Sequence, residues 1–391
     1  MTSESVAAPR ADIVYGRCDP RFDVLVDLLA GSIAAGNDLG ASLAVMQGDQ
    51  LVVDLWGGWR DPDRTDPWLE DTITNVWSTT KTMTTLCALL LVERGLLDVF
   101  APVSRYWPDF AANGKADIEV RHLLAHTSGL PFWEAPFELE DLYDWDRAVA
   151  HLAAQAPCWE PGTASGYHAL NQGHLVGEVI RRVDGRAIGR FFADEIAGPL
   201  GADFHIGLDP AHDHRVSNVV PPEPVEPDPA APTPPAFLAR SAPQVDADVA
   251  WTPAWRRAQI GAANGHGNAR SVARVQSVVA NGGWTRSSAG EVVHLLSPET
   301  IDLVFQEQSY GPDLVLGEVH RFGIGYGLAS PERTPELPDG RICFWGGWGG
   351  SSIIVDSERQ LTIAYMMNRM VSGAAGDDRS EALVRTIYAL L

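Results

Sequence analysis

Ser78 and Lys81 stand three positions apart in Ser78-Thr79-Thr80-Lys81. On a helix, residues i and i+3 share one face a turn apart. The lysine amine can then take the serine proton, or tune whichever group does. Unsatisfied N–H groups at a helix N-terminus favour negative charge developing on that serine. The same four residues also read as a serine N-cap followed by a solvated lysine. Lysine usage sharpens the choice: the chain has 27 arginines and only two lysines, Lys81 and Lys115. A sequence that writes its surface positive charge as arginine has few incidental uses for lysine.

Two further segments have the chemistry to join this pair. Tyr167 follows a Pro-Gly-rich loop and precedes the apolar run NQGHLVGEVIRRV. A tyrosine at such a junction can act as acid or base when an ammonium lies near, or simply pack in a core with its hydroxyl satisfied. The run Trp345-Gly346-Gly347-Trp348-Gly349-Gly350 has glycine pairs that weaken a strand and bury nothing. They suit a backbone that approaches a ligand closely and offers an N–H to an oxyanion; a glycine-rich bulge is the plainer alternative. There is no G-x-S-x-G, H-E-x-x-H, Walker A or dinucleotide-binding glycine pattern. His205, His212, Asp213 and His214 lie in polar loop and read as surface residues, so no metal or cofactor is expected. His126 and His168 read as loop hydrogen-bonding residues. Phe132, Trp133, Trp251, Trp255 and Trp348 are candidate pocket aromatics, and Trp348 alone has a position that argues for it.

The elements that must hold these residues follow from apolar periodicity. Residues 20–38 have helical spacing, 41–59 form two β-rich runs around Gly48-Asp49, and 78 to about 97 is helical with threonines first. From about 100 to 215 the pattern is mainly helical. Residues 221–235 contain eight of the 27 prolines and form an extended loop. A helix near 270–281 leads to strands in ICFWGGW and SSIIVDSERQLTIAYMMN, and a last helix spans 379–391. The hairpin and the late strands can share one antiparallel sheet, with the active site at its seam with the helical part.

The 391 residues allow two or three structural units. A formal charge of -22 argues against nucleic acid or an anionic membrane as the main partner. Cys18, Cys87, Cys158 and Cys343 form no C-x-x-C pair, and the first residues have neither a basic nor an apolar segment of a secretory signal. A cytoplasmic protein with a small-molecule substrate is expected.

STTK (78–81), YHA (167–169) and WGG (345–347) occur in the order and approximate spacing of the three motifs of serine β-lactamase-like enzymes. With VRHLLAHTSGLP, NQGHLVGEVIRRV and GGSSIIVD around them, the chain most resembles family VIII carboxylesterases, relatives of class C β-lactamases and D-alanyl-D-alanine carboxypeptidases. The resemblance runs from about residue 20 to the end. It implies an α/β (α+β type) fold. An antiparallel sheet flanked by helices is built from 1–98 and 265–391, with a mainly helical domain inserted at 99–264.

The resemblance makes Ser78 the acylated nucleophile and Lys81 with Tyr167 the proton-transfer pair, without saying which is the base. It makes Trp345, Gly346, Gly347 and Trp348 substrate-binding, and the Ser78 and Trp348 N–H groups the oxyanion hole. Two departures matter. Ala169 replaces the lactamase asparagine, and Trp345 replaces the cation that attracts a substrate carboxylate. Both favour neutral short-chain or aryl esters over β-lactams and peptides. A β-lactamase or D-alanyl-D-alanine carboxypeptidase on the same scaffold is the nearest alternative; acyl transfer to another alcohol, and a non-catalytic sensor that keeps the fold, are the further readings.

Overall fold

The computed structural model describes residues 13–224, 233–372 and 377–391; most of the proline-rich stretch expected at 221–235 therefore lies outside the described residues. The first elements are β1 (Val14–Cys18), α1 (Val24–Ala35), β2 (Gly40–Gln47), β3 (Gln50–Gly58) and α2 (Thr80–Glu93). The helical part supplies α3 (Trp145–Ala154) and α4 (Gln172–Asp184), and α5 (Ala269–Ala280) follows. The remaining strands are β4 (Ser309–Pro312), β5 (Val319–Phe322), β6 (Gly327–Leu328), β7 (Ile342–Gly346), β8 (Ser352–Asp356) and β9 (Leu361–Met367), and α6 (Asp378–Ala389) closes the chain.

These strands make one nine-stranded sheet in the order β1-β3-β2-β9-β8-β7-β6-β5-β4, antiparallel at every junction. The join between the two ends of the chain is β2 against β9, in register from Gln47–Leu361 to Ala41–Met367. Every residue of β8 and β9 is buried, so both sheet faces are covered, and α5 packs across β2, β8 and β9. Continuous apolar runs such as SIIVD and LTIAYMM are what a doubly covered sheet requires.

Several boundaries differ from the periodicity. The helix expected over 20–38 ends at Gly36, whose φ of +79° suits a left-handed C-cap. The helix expected to run to about 97 ends at Glu93, just before Gly95 at φ +67°. β1 and the strands between 309 and 328 carry no sequence signal; they are short and interrupted by glycine, proline or charge. No helix among the described residues is long and apolar enough to cross a membrane.

α2 is the helix on which the site is built, and it is buried from Thr80 to Leu91. Its early threonines satisfy carbonyls of the loops around it: Thr80 Oγ1 donates to Trp77 O at 2.6 Å, Thr84 to Gly261 O at 2.6 Å and Thr85 to Gly325 O at 3.2 Å. A helix sunk in the interior needs such hydroxyls because the surrounding backbone must be hydrogen-bonded.

Candidate active site

Ser78 lies in a 3-10 turn, Trp77–Thr79, that leads directly into α2. The preceding strand Ile73–Asn75 is fixed between Val216–Ser217 and His266–Gly267, and the Val76 N–H bonds Gly265 O at 2.9 Å. Trp77 then adopts φ +48°, a left-handed conformation that a bulky residue takes only when its surroundings impose it, at about 1–3 kcal/mol. The rings of Trp348 and Trp255 pack on its indole, with centroids 5.0 and 5.5 Å from the Trp77 ring. The sharp bend presents Ser78 at the mouth of the helix.

Lys81 is fully buried, one turn further on. Its Nζ lies 3.0 Å from Ser78 Oγ and donates to Ala169 O at 2.7 Å and Ala262 O at 3.0 Å. Burial pushes its ammonium well below the usual lysine range. A neutral amine has two N–H bonds and one lone pair. With both N–H bonds on the two carbonyls, a neutral Lys81 would turn its lone pair to Ser78, whereas an ammonium would donate to all three oxygens. Position 169 thus contributes its carbonyl to the site, where the related motif would contribute an amide side chain.

The Tyr167 hydroxyl is reached by the side chains of Ser78 and Trp345, and the Lys81 ammonium position is 4.9 Å from the centre of its ring. Burial pushes this phenol up, against the smaller lowering effect of those two side chains, so it keeps its proton at neutral pH. Its backbone is held from below by a residue that has no sequence signal. Asp313 Oδ1 accepts from the N–H groups of Tyr167 at 3.0 Å, Val315 at 2.9 Å and Leu316 at 3.0 Å.

His126 and His168 also lie closer to the chemistry than expected. His126, at φ +61°, stacks its ring 4.9 Å from Tyr167 and 5.5 Å from Trp345, and its Nδ1 accepts from the His168 N–H at 3.1 Å. Burial holds His126 well below its usual range and His168 near 4. Both are therefore neutral walls behind the tyrosine.

β7 ends at Gly346, and residues 347–350 turn back on themselves. The Gly347 N–H bonds Ser351 O at 2.8 Å and the Gly350 N–H bonds Gly347 O at 3.1 Å. Gly349 and Gly350 have φ of +92° and +125°. With the Gly347 carbonyl engaged inside the turn, the N–H of the same peptide, that of Trp348, points outward. Gly347 also sits directly on Val76, the residue two before Ser78. Trp348 follows Gly347 directly, so its segment lies against the one that carries Ser78.

Of the expected substrate-contacting residues, Trp348 keeps partial exposure, whereas Trp345 is 5% exposed with its indole turned onto Tyr167. The other aromatics disperse. Trp133 is core, stacked on Phe137 at 4.8 Å; Trp255 is buried under Trp77; Trp251 is exposed and donates to Val219 O; Phe132 stacks on Phe237 at 6.2 Å. His205 pairs with Asp203, and Asp213 with Arg256 and Arg257.

The Beta-lactamase family profile matches residues 27–386. Among relatives, the Esterase/beta-lactamase LipL of Mycobacterium tuberculosis is 34% identical over 372 residues, covering 92% of this chain and 84% of its own. A family VIII carboxylesterase structure superposes with a TM-score of 0.89 at 37% identity, covering 97% of this chain and 100% of its own. A penicillin-binding protein homologue from Caulobacter crescentus gives 0.86 at 35% identity, with the same coverage of both chains. The chain belongs to the Beta-lactamase family. Within it, the protein is a serine hydrolase with the β-lactamase/transpeptidase fold.

Proposed function

We propose that the protein is a serine carboxylesterase that hydrolyses neutral short-chain or aryl esters through an acyl-enzyme on Ser78. The observation that carries this reading is the buried Lys81 Nζ, held by two carbonyls and 3.0 Å from Ser78 Oγ. Lys81 takes the Ser78 proton as Oγ attacks the ester carbonyl. The Ser78 and Trp348 N–H groups hold the tetrahedral oxyanion. Tyr167 donates its proton to the departing alcohol and recovers one from Lys81. Water then attacks the acyl-enzyme, giving a proton back through the same pair, and Ser78 leaves with its hydroxyl restored.

Neutral substrates are favoured because an indole stands at 345 and a methyl group at 169, so neither position offers a counter-ion or amide to a carboxylate-bearing substrate. The relatives named as an esterase/β-lactamase and a family VIII carboxylesterase support ester hydrolysis. The penicillin-binding protein homologue motivates the second reading, β-lactam or D-alanyl-peptide hydrolysis. No disulfide joins the four cysteines among the described residues, which fits a reducing compartment such as the cytoplasm.

Turnover of p-nitrophenyl butyrate and of nitrocefin by wild type and Ser78→Ala tests the proposal. Ester turnover should exceed nitrocefin turnover and vanish in Ser78→Ala. Substantial ester hydrolysis by Ser78→Ala would overturn the nucleophile, and a preference for nitrocefin would overturn the substrate class. Failure of a fluorophosphonate to label Ser78 would favour a non-catalytic role.

A further inference from the structure

Ser78 and Trp348 lie 270 positions apart in the chain, yet their N–H groups must stand a fixed distance apart to share one oxygen. Beside the packing of the Trp348 ring on Trp77, one hydroxyl spans the two segments by hydrogen bonds. Ser351 is 2% exposed, and its Oγ lies 2.8 Å from Val76 O and 3.0 Å from Thr79 Oγ1. A hydroxyl has one proton. Val76 O can only accept, so Ser351 donates there and receives the Thr79 proton. Val76 and Thr79 bracket Trp77 and Ser78, so both ends of the nucleophile's turn are tied to this oxygen. The Ser351 carbonyl meanwhile accepts the Gly347 N–H at 2.8 Å and closes the turn that carries Trp348. From the far side, Arg379 Nη2 at 3.1 Å and the Val371 N–H at 3.0 Å hold Gly349 O. Those bonds anchor the turn to α6 and the segment after β9, but neither reaches the Ser78 segment.

We propose that Ser351 is a positioning residue for oxyanion stabilisation: its hydroxyl bridge to Val76 and Thr79 sets the separation of the Ser78 and Trp348 N–H groups. The inference rests on the serine-esterase reading above. Ser351→Ala removes the bridge while the Thr79 N–H still serves Val76 O at 3.3 Å, so the backbone keeps a partner. The consequence falls on the transition state, because a ground-state ester carbonyl draws little on these donors.

The test measures kcat and KM for p-nitrophenyl butyrate, the pH–rate profile, the melting temperature, and inhibition by a trifluoromethyl ketone, which forms a tetrahedral adduct on serine. Ser351→Ala should lower kcat about 10- to 100-fold, with KM within about threefold. Ketone affinity should fall by the same factor as kcat, and the acid limb of the profile should stay in place. Ser351→Thr, which keeps the hydroxyl, should recover most of the lost kcat. Thr79→Val cuts the same bridge from its other end and carries the test if Ser351→Ala does not fold. Wild-type kcat and ketone affinity in a folded Ser351→Ala or Thr79→Val protein would overturn the inference. So would a loss of kcat accompanied by a moved acid limb, which would mean displacement of Lys81. Turnover surviving in Ser78→Ala would overturn the esterase reading itself, a separate result.

Discussion

Gly347 lies where the turn that carries the Trp348 N–H presses on the segment that carries Ser78. An ideal Cβ there would lie 2.3 Å from both Val76 O and Ser351 Oγ, and 3.2 Å from Trp77 Cβ. Contacts of a real Cβ stop near 3.0 Å. The Ser351 hydroxyl can swing aside, but Val76 O is backbone in a segment whose N–H is bonded to Gly265. In Gly347→Ala the turn must therefore withdraw by about 0.7 Å, the gap between 2.3 and 3.0 Å. The Trp348 N–H, next in the chain, withdraws with it. A bond of about 2.9 Å stretched to about 3.6 Å no longer counts as a hydrogen bond. Losing one oxyanion donor lowers kcat about 10²- to 10³-fold, or about 2.7–4 kcal/mol of barrier. KM should change by less than about threefold, since the loss is specific to the transition state. Steady-state kinetics with p-nitrophenyl butyrate read both parameters. A thermal melt reads separately the overpacking strain, about 1–3 kcal/mol. If Gly347→Ala folds and retains kcat within about threefold of wild type, the Trp348 N–H does not bear on the reaction and the proposed oxyanion hole is wrong.

Four other outcomes follow from the buried amines and the phenol. The base must be neutral and burial lowers the Lys81 pKa, so activity should be present above that lowered pKa and lost as pH falls through it. Tyr167→Phe should lower kcat at least about 100-fold and leave the acid limb where it is; a limb that disappears in this variant would make the tyrosine the base. Between the lowered pKa and the ordinary 10.5, the unfolded chain binds a proton that the native protein does not, so Lys81 makes stability rise with pH across that window. Urea unfolding of Lys81→Met should show a shallower rise between about pH 7 and pH 9 than wild type, and an equal slope would show that the native amine stays charged. Lys81 and Lys115 are both fully buried, so acetic anhydride should modify neither in the native protein and both after unfolding, read by peptide mass spectrometry. Rapid native acetylation of Lys115 would contradict its three carbonyl partners, Ala112, Ala153 and Gln155.

The parts of this molecule that were legible in the sequence are those whose information is local. α5 and α6 lie where apolar spacing puts them, and the hairpin of β2 and β3 turns at Gly48. The Ser78–Lys81 contact is a property of one helical turn. What escaped depends on partners far along the chain or on backbone atoms, which no residue type announces. Asp313 holds the Tyr167 N–H across 146 positions, Lys81 meets Ala262 O across 181, and Ser351 meets Val76 O across 275. β4, β5 and β6 escaped because strands of two to four residues with glycine or charge inside have no periodicity to read.

Trp345 shows how a correct motif can still mislead about orientation. The lactamase-like pattern has a cation at that position, facing the substrate, and replacing it by an indole suggests a ring that meets the ester. In β7 the ring instead packs inward on His126, Tyr167 and Phe322, at 5.5, 6.2 and 5.9 Å, and its side chain reaches the Tyr167 hydroxyl. An indole N–H is a donor that never titrates. It can orient the phenol oxygen as a cation would, without adding charge. Burial keeps Lys81, His126 and His168 toward their neutral forms. In the proposed mechanism the reaction makes a new ion pair beside them, ammonium on Lys81 and oxyanion at the turn. In a site of low dielectric that pairing strengthens as charge separates, whereas a substrate carboxylate would have to enter with no counter-ion ready for it.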